Sequence, residues 1–185
     1  MPAAAKTTHV DVIAAARELL ERDGADGVSM QAVATAVGVR APSLYKRFAD
    51  RSALLGELER TVFGELQQVL ERVSPTRSAQ RDVAAMGRAY RRFAKAHAHA
   101  YALLFLPSSL PDAEAVAVRA RATRPVLARL AAWLGSDKAL DAARVLTAFV
   151  HGFVSMEITG AFRLGPGNLD DAFELGVETL LRGLR

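Results

Sequence analysis

Apolar residues return every three or four positions along nearly the whole chain, and almost nowhere do they alternate. That is the period of helices, not strands. Val12, Ala16, Leu19 and Leu20 form one stripe, with Arg17, Glu18, Glu21 and Arg22 opposite, which predicts a helix over 10–23 closed by Gly24. Ala53, Leu54, Leu58, Val62, Leu66, Val69 and Val73 predict a fourth helix over 50–73, capped by Asp50 and stopped at Ser74-Pro75. At about 1.5 Å per residue this rod exceeds 30 Å. A fifth helix over 78–98 turns Val83, Met86, Tyr90, Phe93 and Ala94 inward and Arg88, Arg91, Arg92 and Lys95 outward. The short apolar run 101–106 ends at Pro107 and Pro111, and Asp112 caps a helix reaching 134 that Pro125 bends or splits. An eighth helix over 137–163 is apolar on more than one face. After Gly165-Pro166-Gly167-Asn168, a ninth over 169–184 sets Phe173, Val177, Leu180, Leu181 and Leu184 in one stripe, with Gly176 permitting close approach.

These elements predict an all-α chain of about nine helices. The last two carry more apolar surface than one core contact needs. They are therefore expected to pair with their copies in a two-fold homodimer, as a four-helix bundle using Phe162, Phe173, Val177, Leu180, Leu181 and Leu184.

The stretch 28–51, VSMQAVATAVGVRAPSLYKRFADR, has a different rhythm: two short helices around a tight turn. Ser29 is a natural N-cap, Val33, Ala34 and Val37 supply an inner face, Gly38 suits a left-handed turn, and Val39 plugs the corner. Pro42 starts the next helix without losing a needed hydrogen bond. Leu44 and Phe48 face inward, leaving Arg40, Ser43, Tyr45, Lys46, Arg47 and Arg51 outside. Two short helices joined by a glycine turn, with donors on the second, place a recognition helix in the DNA major groove.

Charge sharpens this picture only locally. The chain has 185 residues, a net charge of +4 and a pI near 9.8. Residues 1–73 nevertheless hold nine Lys/Arg against ten Asp/Glu, and the basic excess lies in residues 74–185. What favours DNA is the run from Arg40 to Arg51, four positive residues against Asp50 alone, because phosphate contacts depend on where charges sit. With no cysteine, disulfide, zinc-finger and thiol chemistry are excluded. His97 and His99, at i and i+2, do not face one another on a helix, so no metal or other cofactor is expected. The opening MPAAAKTTH lacks an apolar signal core, and the most apolar run, 146–162, carries His151 and Glu157. No membrane span is expected, and the cytoplasm is the expected compartment. Lys6 could belong to a basic arm on a solvated tail.

The order Ala15-Ala16, Leu19-Leu20, Gly24, Gly27, Val28-Ser29, Val33-Ala34, Gly38-Val39, Leu44-Tyr45, Phe48 and Leu54-Leu55 resembles the DNA-binding domain of the TetR-type (TetR/AcrR) repressors over roughly residues 8–70. The resemblance implies a helix-turn-helix domain at 1–52 and a ligand-binding and dimerisation domain at 53–185, linked by the fourth helix. It implies a homodimer on a palindromic double-stranded operator, released by a small-molecule effector. Arg40 stands where the family often has a Ser or Thr cap, and Arg47 where it often has His or Tyr; the first departure should weaken capping by about 1 kcal/mol. The segment around His151-Gly152 also resembles a Trp-x-x-x-His-Gly signature of one C-terminal subgroup, with Phe149 near, but not at, the aromatic position.

Gln31 can read adenine, Ala41 or Pro42 can meet a thymine methyl, and Ser43 can bond a base or a phosphate. By matching family positions, Tyr45, Lys46 and Arg51 hold phosphates. Ser29 offers a hydroxyl and a helix N-terminus, and Arg40 an added phosphate contact. Each also has a plain structural reading: Gln31 as a solvated amide, Pro42 as helix initiation. His151 and Glu157, polar within an apolar helix, need a neighbouring side chain or a ligand as partner. The aromatics serve the core, and from among them Tyr101, Phe105, Trp133, Phe149 and Phe153 are the preferred lining of an apolar ligand pocket. Two competing functions stand beside the regulator: a non-specific architectural DNA binder, and an all-helical enzyme, for which no nucleophile–base pair or phosphate loop is present.

Overall fold

The computed structural model describes residues 7–163, 165 and 167–184; the proposed arm residue Lys6 and the helix-breaking Pro166 lie outside them. Among the described residues there are nine helices and no strand. They are α1 (His9–Gly27), α2 (Met30–Ala36), α3 (Ala41–Tyr45), α4 (Arg51–Glu71), α5 (Ala79–Ala96), α6 (Ala98–Leu103), α7 (Asp112–Leu134), α8 (Ser136–Ile158) and α9 (Leu169–Gly183).

The chain divides into two compact units, one running to Gly64 and adding His97–Val118, the other comprising Glu65–Ala96 and the chain from Arg119 onward. Helices α4 and α7 contribute to both. Helix α6 lies against α1, which brings 97–118 into the first unit.

In the first unit, α1 packs on α2 and α6, and α2 on α3. Helix α1 starts earlier than its apolar stripe, because Thr8 and Asp11 form a capping box: the Thr8 hydroxyl accepts from Asp11 N–H, and Asp11 accepts from Thr8 N–H at 2.7 Å. The Thr8 N–H bond first, and then the Thr8 hydroxyl donating to the same carboxylate at 2.8 Å, hold the Asp11 carboxyl below its ordinary pKa. Gly24, at φ 72°, kinks the helix rather than closing it, and a further turn continues to Gly27. Val12, Ala16 and Leu20 are fully buried, as are Val28, Val33 and Leu54. Each buried aliphatic of this size contributes roughly 1.5–3 kcal/mol.

Helix α4 begins where its cap predicts, with Asp50 accepting from Ala53 N–H at 2.8 Å. Its buried Glu59 accepts from the Ser108 hydroxyl at 2.7 Å and from Ser109 N–H at 3.2 Å, tying the loop before α7 to α4. Gly56 lets that loop approach, since a Cβ there would lie 2.9 Å from Leu110. Leu110, Ala115 and Val118 form a small apolar cluster with Phe63 beside it.

In the second unit, α5, α8 and α9 pack on one another. Pro125 sits inside a continuous α7 rather than splitting it. Helix α8 stops at Ile158, short of 163, because Gly160 turns left-handed at φ 70°. It is long and apolar enough by composition to cross a membrane, but its Leu146, Val150 and Val154 are buried here in a helical core. Asn168 caps α9 by accepting from Asp170 N–H at 2.8 Å.

One outward assignment is corrected. Arg91 is only 8% exposed. Its guanidinium donates two bonds of 2.8 Å to Glu157, meets Asp170 at 2.8 Å and lies 4.8 Å over the Phe173 ring. Lys95 adds a 2.6 Å bond to Glu157. A guanidinium on α5 thus ties α8 and α9 together. Helical spacing alone reads Arg91 as surface because its partners are distant in sequence. Arg88 makes the matching pair with Glu174, through bonds of 2.7 and 2.6 Å.

Candidate nucleic-acid interface and regulatory body

The helix-turn-helix follows from local chemistry. The Ser29 hydroxyl accepts from Ala32 N–H at 3.1 Å and starts α2. Gly38, at φ 69°, ends it: Val39 N–H reaches Ala34 O at 2.9 Å and Gly38 N–H reaches Thr35 O at 3.2 Å, a Schellman closure. Helix α3 then begins at Arg40, whose side chain makes no cap bond, with Pro in its first turn. Buried Leu44 and Phe48 anchor it, and Phe48 stacks on His9 at 5.3 Å.

That anchoring leaves one face open. Arg40, Pro42, Ser43, Tyr45 and Lys46 are all exposed, Tyr45 at 54%, while Ala41 is half-buried. Gln31 projects from α2 with its amide 3.5 Å from the Thr35 hydroxyl. Eight of the nine expected DNA-facing residues therefore lie on α2, α3 or their caps without a competing tertiary bond. Arg51 differs. Its guanidinium donates to Val28 O at 2.6 Å and to Ala25 O, closing the carbonyl end of α1. Arg47 likewise donates to Thr7 O. These two arginines act first as internal ties within the head, a role that no local spacing reveals.

The expected aromatic lining is divided between the two units. Tyr101 and Phe105 pack on each other in the first unit as tilted rings, with centroids 5.1 Å apart. Phe149 and Phe153 belong to an aromatic core with Phe173 and Phe162, at centroid distances of 4.8–5.9 Å. Trp133 is half-buried on α7. The apolar cavity of the second unit is lined instead by aliphatics of α4, α5, α7, α8 and α9, chiefly Leu70, Met86, Val126, Leu146 and Val150, with Gly87, Tyr90 and Thr147. The large rings fill the core; shorter side chains leave the space.

The expected dimer stripe is half core. Phe173, Val177 and Leu181 are buried, and Phe162, Leu180 and Leu184 are half-buried. The exposed face lies nearly half a turn round: Val145, Ala148 and Met156 on α8 beside half-buried Gly152, with Ala172, Leu175 and Thr179 on α9. Gly176 joins the two helices as expected, since a Cβ there would fall 2.1 Å from Phe149. Glu157 has the side-chain partners its burial demanded. Arg91, before Lys95, holds its carboxyl below the ordinary range. Burial lowers the His151 pKa, and the ring nitrogen Nδ1 lies 3.3 Å from the Ser155 hydroxyl.

A family model described as bacterial regulatory proteins of the tetR family matches residues 12–58, spanning α2 and α3, and a tetracyclin repressor-like C-terminal domain matches residues 83–180. The chain belongs to the TetR family. An HTH-type transcriptional regulator of Mycobacterium tuberculosis, itself uncharacterized, is 32% identical over 158 residues, 84% of this chain and 72% of that protein. A Rhodococcus sp. RHA1 protein of unknown function shares 26% identity and a TM-score of 0.82, covering 99% of this chain and 98% of that one. ActR of Streptomyces coelicolor, solved in complex with (S)-DNPA, is 21% identical, with a TM-score of 0.72 and 98% of both chains covered. As a TetR-family member this chain is a DNA-binding transcriptional regulator and not an enzyme.

Proposed function

We propose that this TetR-family chain is a cytoplasmic homodimeric repressor whose α3 helices enter successive major grooves of a palindromic operator, and that a small hydrophobic effector releases it. The division of labour is a DNA-binding head over 1–52 and a ligand-binding, dimerising body over 53–185, with α4 continuous between them. The observation that carries the reading is the exposed donor face of α3, Ser43 to Lys46, held by buried Leu44 and Phe48. Ser29, Gln31, Arg40, Ala41 and Pro42 extend this face, and Tyr45 and Lys46 serve the phosphates.

The dimer forms through the uncovered apolar face of α8 and α9. Val145 and Met156 are each 45% exposed and Leu175 64%, a cost in water that a two-fold contact removes. The effector reading is supported by the family and by ActR, a neighbour of the same fold solved with a small molecule. Inverting a 99:1 population of DNA-competent and incompetent dimers requires about 5.5 kcal/mol of differential ligand affinity. Footprinting of the purified protein on DNA flanking its own gene, at two salt concentrations, tests the reading. A protected palindrome is expected. Salt-sensitive binding with equal affinity for random duplexes would instead mark a non-specific architectural protein.

A further inference from the structure

We infer that the open groove between α5 and α9 binds a small polyanion carrying at least two phosphate or carboxylate groups, and that Asp170 occupies the place of one of them. The groove lies on another face of α5 from the apolar cavity, whose α5 lining is Val83, Met86, Gly87 and Tyr90. It does not depend on the effector reading. Its volume is about 610 Å³, and Arg88, Arg91, Arg92 and Lys95 of α5 face Asp170 and Glu174 of α9 across it. Small-molecule sites have volumes in that range.

Arg91 forms the floor, and its surroundings fix which edge it presents. Its side chain is 10% exposed. Nε and Nη2 both donate to Glu157, and the guanidinium lies 4.8 Å over the Phe173 ring. Nη1 is left for the groove, where it meets Asp170 at 2.8 Å. The Asp170 side chain is 75% exposed. A carboxylate so exposed regains its hydration on leaving, so an incoming oxyanion displaces it at little cost. It uncovers a pre-oriented guanidinium, nearly buried, where a charge-assisted bond is screened far less than on an open surface.

Around that floor, the cations outnumber their partners. Arg88, Arg92 and Lys95 fall at i, i+4 and i+7, along about 10 Å of one helix face. Arg88 pairs with Glu174 and Lys95 with Glu157, but Arg92 is exposed and has no side-chain partner among the described residues. Beyond Arg88, a second depression of about 300 Å³ adds Arg81 and Arg182 against Glu178. The whole trough holds six cations and, with Glu157 beneath, four carboxylates. A single anionic group uses only the Arg91 edge. A second group reaches Arg92 or Arg88 as well, so the trough selects multivalent ligands. Arginine suits both classes of ligand, because its planar fork matches phosphate and carboxylate oxygens alike.

Calorimetry on the full chain in phosphate-free buffer tests this with tripolyphosphate, citrate, inorganic phosphate and acetate. Tripolyphosphate or citrate should bind at least tenfold more tightly than phosphate or acetate, and the better of the two identifies the oxyanion. Arg92→Gln should weaken that ligand at least threefold, and Asp170→Asn should strengthen it at least threefold. Both are changes at exposed positions that leave the packing intact. Arg121→Gln, the same charge change at an exposed position of α7, should leave the affinity unaltered. No saturable binding, or equal affinity for single-group and multivalent probes, would overturn the site. So would equal losses in Arg92→Gln and Arg121→Gln, the mark of diffuse attraction. Binding indifferent to both Arg92→Gln and Asp170→Asn would place the anion elsewhere, as on the DNA-facing helix. Hexaglutamate binding as tightly as the better small ligand would replace the small polyanion with an acidic protein segment.

Discussion

Replacing Arg91 by methionine isolates what the charged tie between α5, α8 and α9 contributes. Methionine keeps most of the volume and the contact with the Phe153 and Phe173 rings, so little cavity is made. What disappears is the two-bond pair to Glu157, whose side chain is 8% exposed, and the contact to Asp170, whose side chain is 75% exposed and counts for little. Removing one partner of a buried pair costs about 3–5 kcal/mol, most of it from stranding the other charge. Lys95 remains 2.6 Å from Glu157, so we expect the lower figure, about 3 kcal/mol. For a chain of this size, at roughly 2–4 °C per kcal/mol, the melting temperature should fall by about 6–12 °C. Urea and thermal unfolding at fixed protein concentration, read by far-ultraviolet circular dichroism, measures it; the concentration is held because dimerisation shifts apparent stability. The double variant Arg91→Met/Glu157→Leu should recover most of the loss, because a well-packed apolar replacement of a buried pair is close to neutral. A single-variant loss under about 1 kcal/mol, or a double variant no more stable than the single, would refute the claim that the cost is an orphaned carboxylate.

Acid should act on the same pair. Glu157 has its folded pKa depressed, chiefly by Arg91, so its stabilisation is present above the unfolded value of about 4.3 and fades as pH falls through the lower folded value. The double variant should show a shallower loss of stability below about pH 4.5, and a parallel slope would count against it. Tyr45→Ala and Lys46→Ala should weaken binding to all duplexes, with Lys46→Ala lowering the salt slope by about 1; unchanged affinity in both would sink the placement of α3. Gly176→Ala should destabilise by about 1–3 kcal/mol, because Phe149 must leave its place, and calorimetry showing no loss would disprove that close packing. Leu175→Glu should yield folded monomer by light scattering, whereas an intact dimer would move the interface elsewhere.

The sequence by itself determined whatever depends on neighbours within a turn or two. The helix count, the Ser29, Asp50 and Asn168 region starts, the left-handed Gly38 turn, and the inward Leu44 and Phe48 with outward Tyr45 and Lys46 follow from periodicity and capping. Even Gly176 was legible as a close-approach position. Tertiary structure decided what depends on partners far along the chain. Arg91 and Arg51 look like surface cations, yet one is buried by an acid 66 positions away and the other closes carbonyls 23 and 26 positions back. The cavity of the second unit was not readable from the aromatics, because large rings fill a core and a cavity is left where side chains are shorter. The apolar stripe of α9 was found correctly, but periodicity cannot say which neighbour covers it. Packing on α5 and α8 takes Phe173 and Val177, and leaves Leu175 exposed.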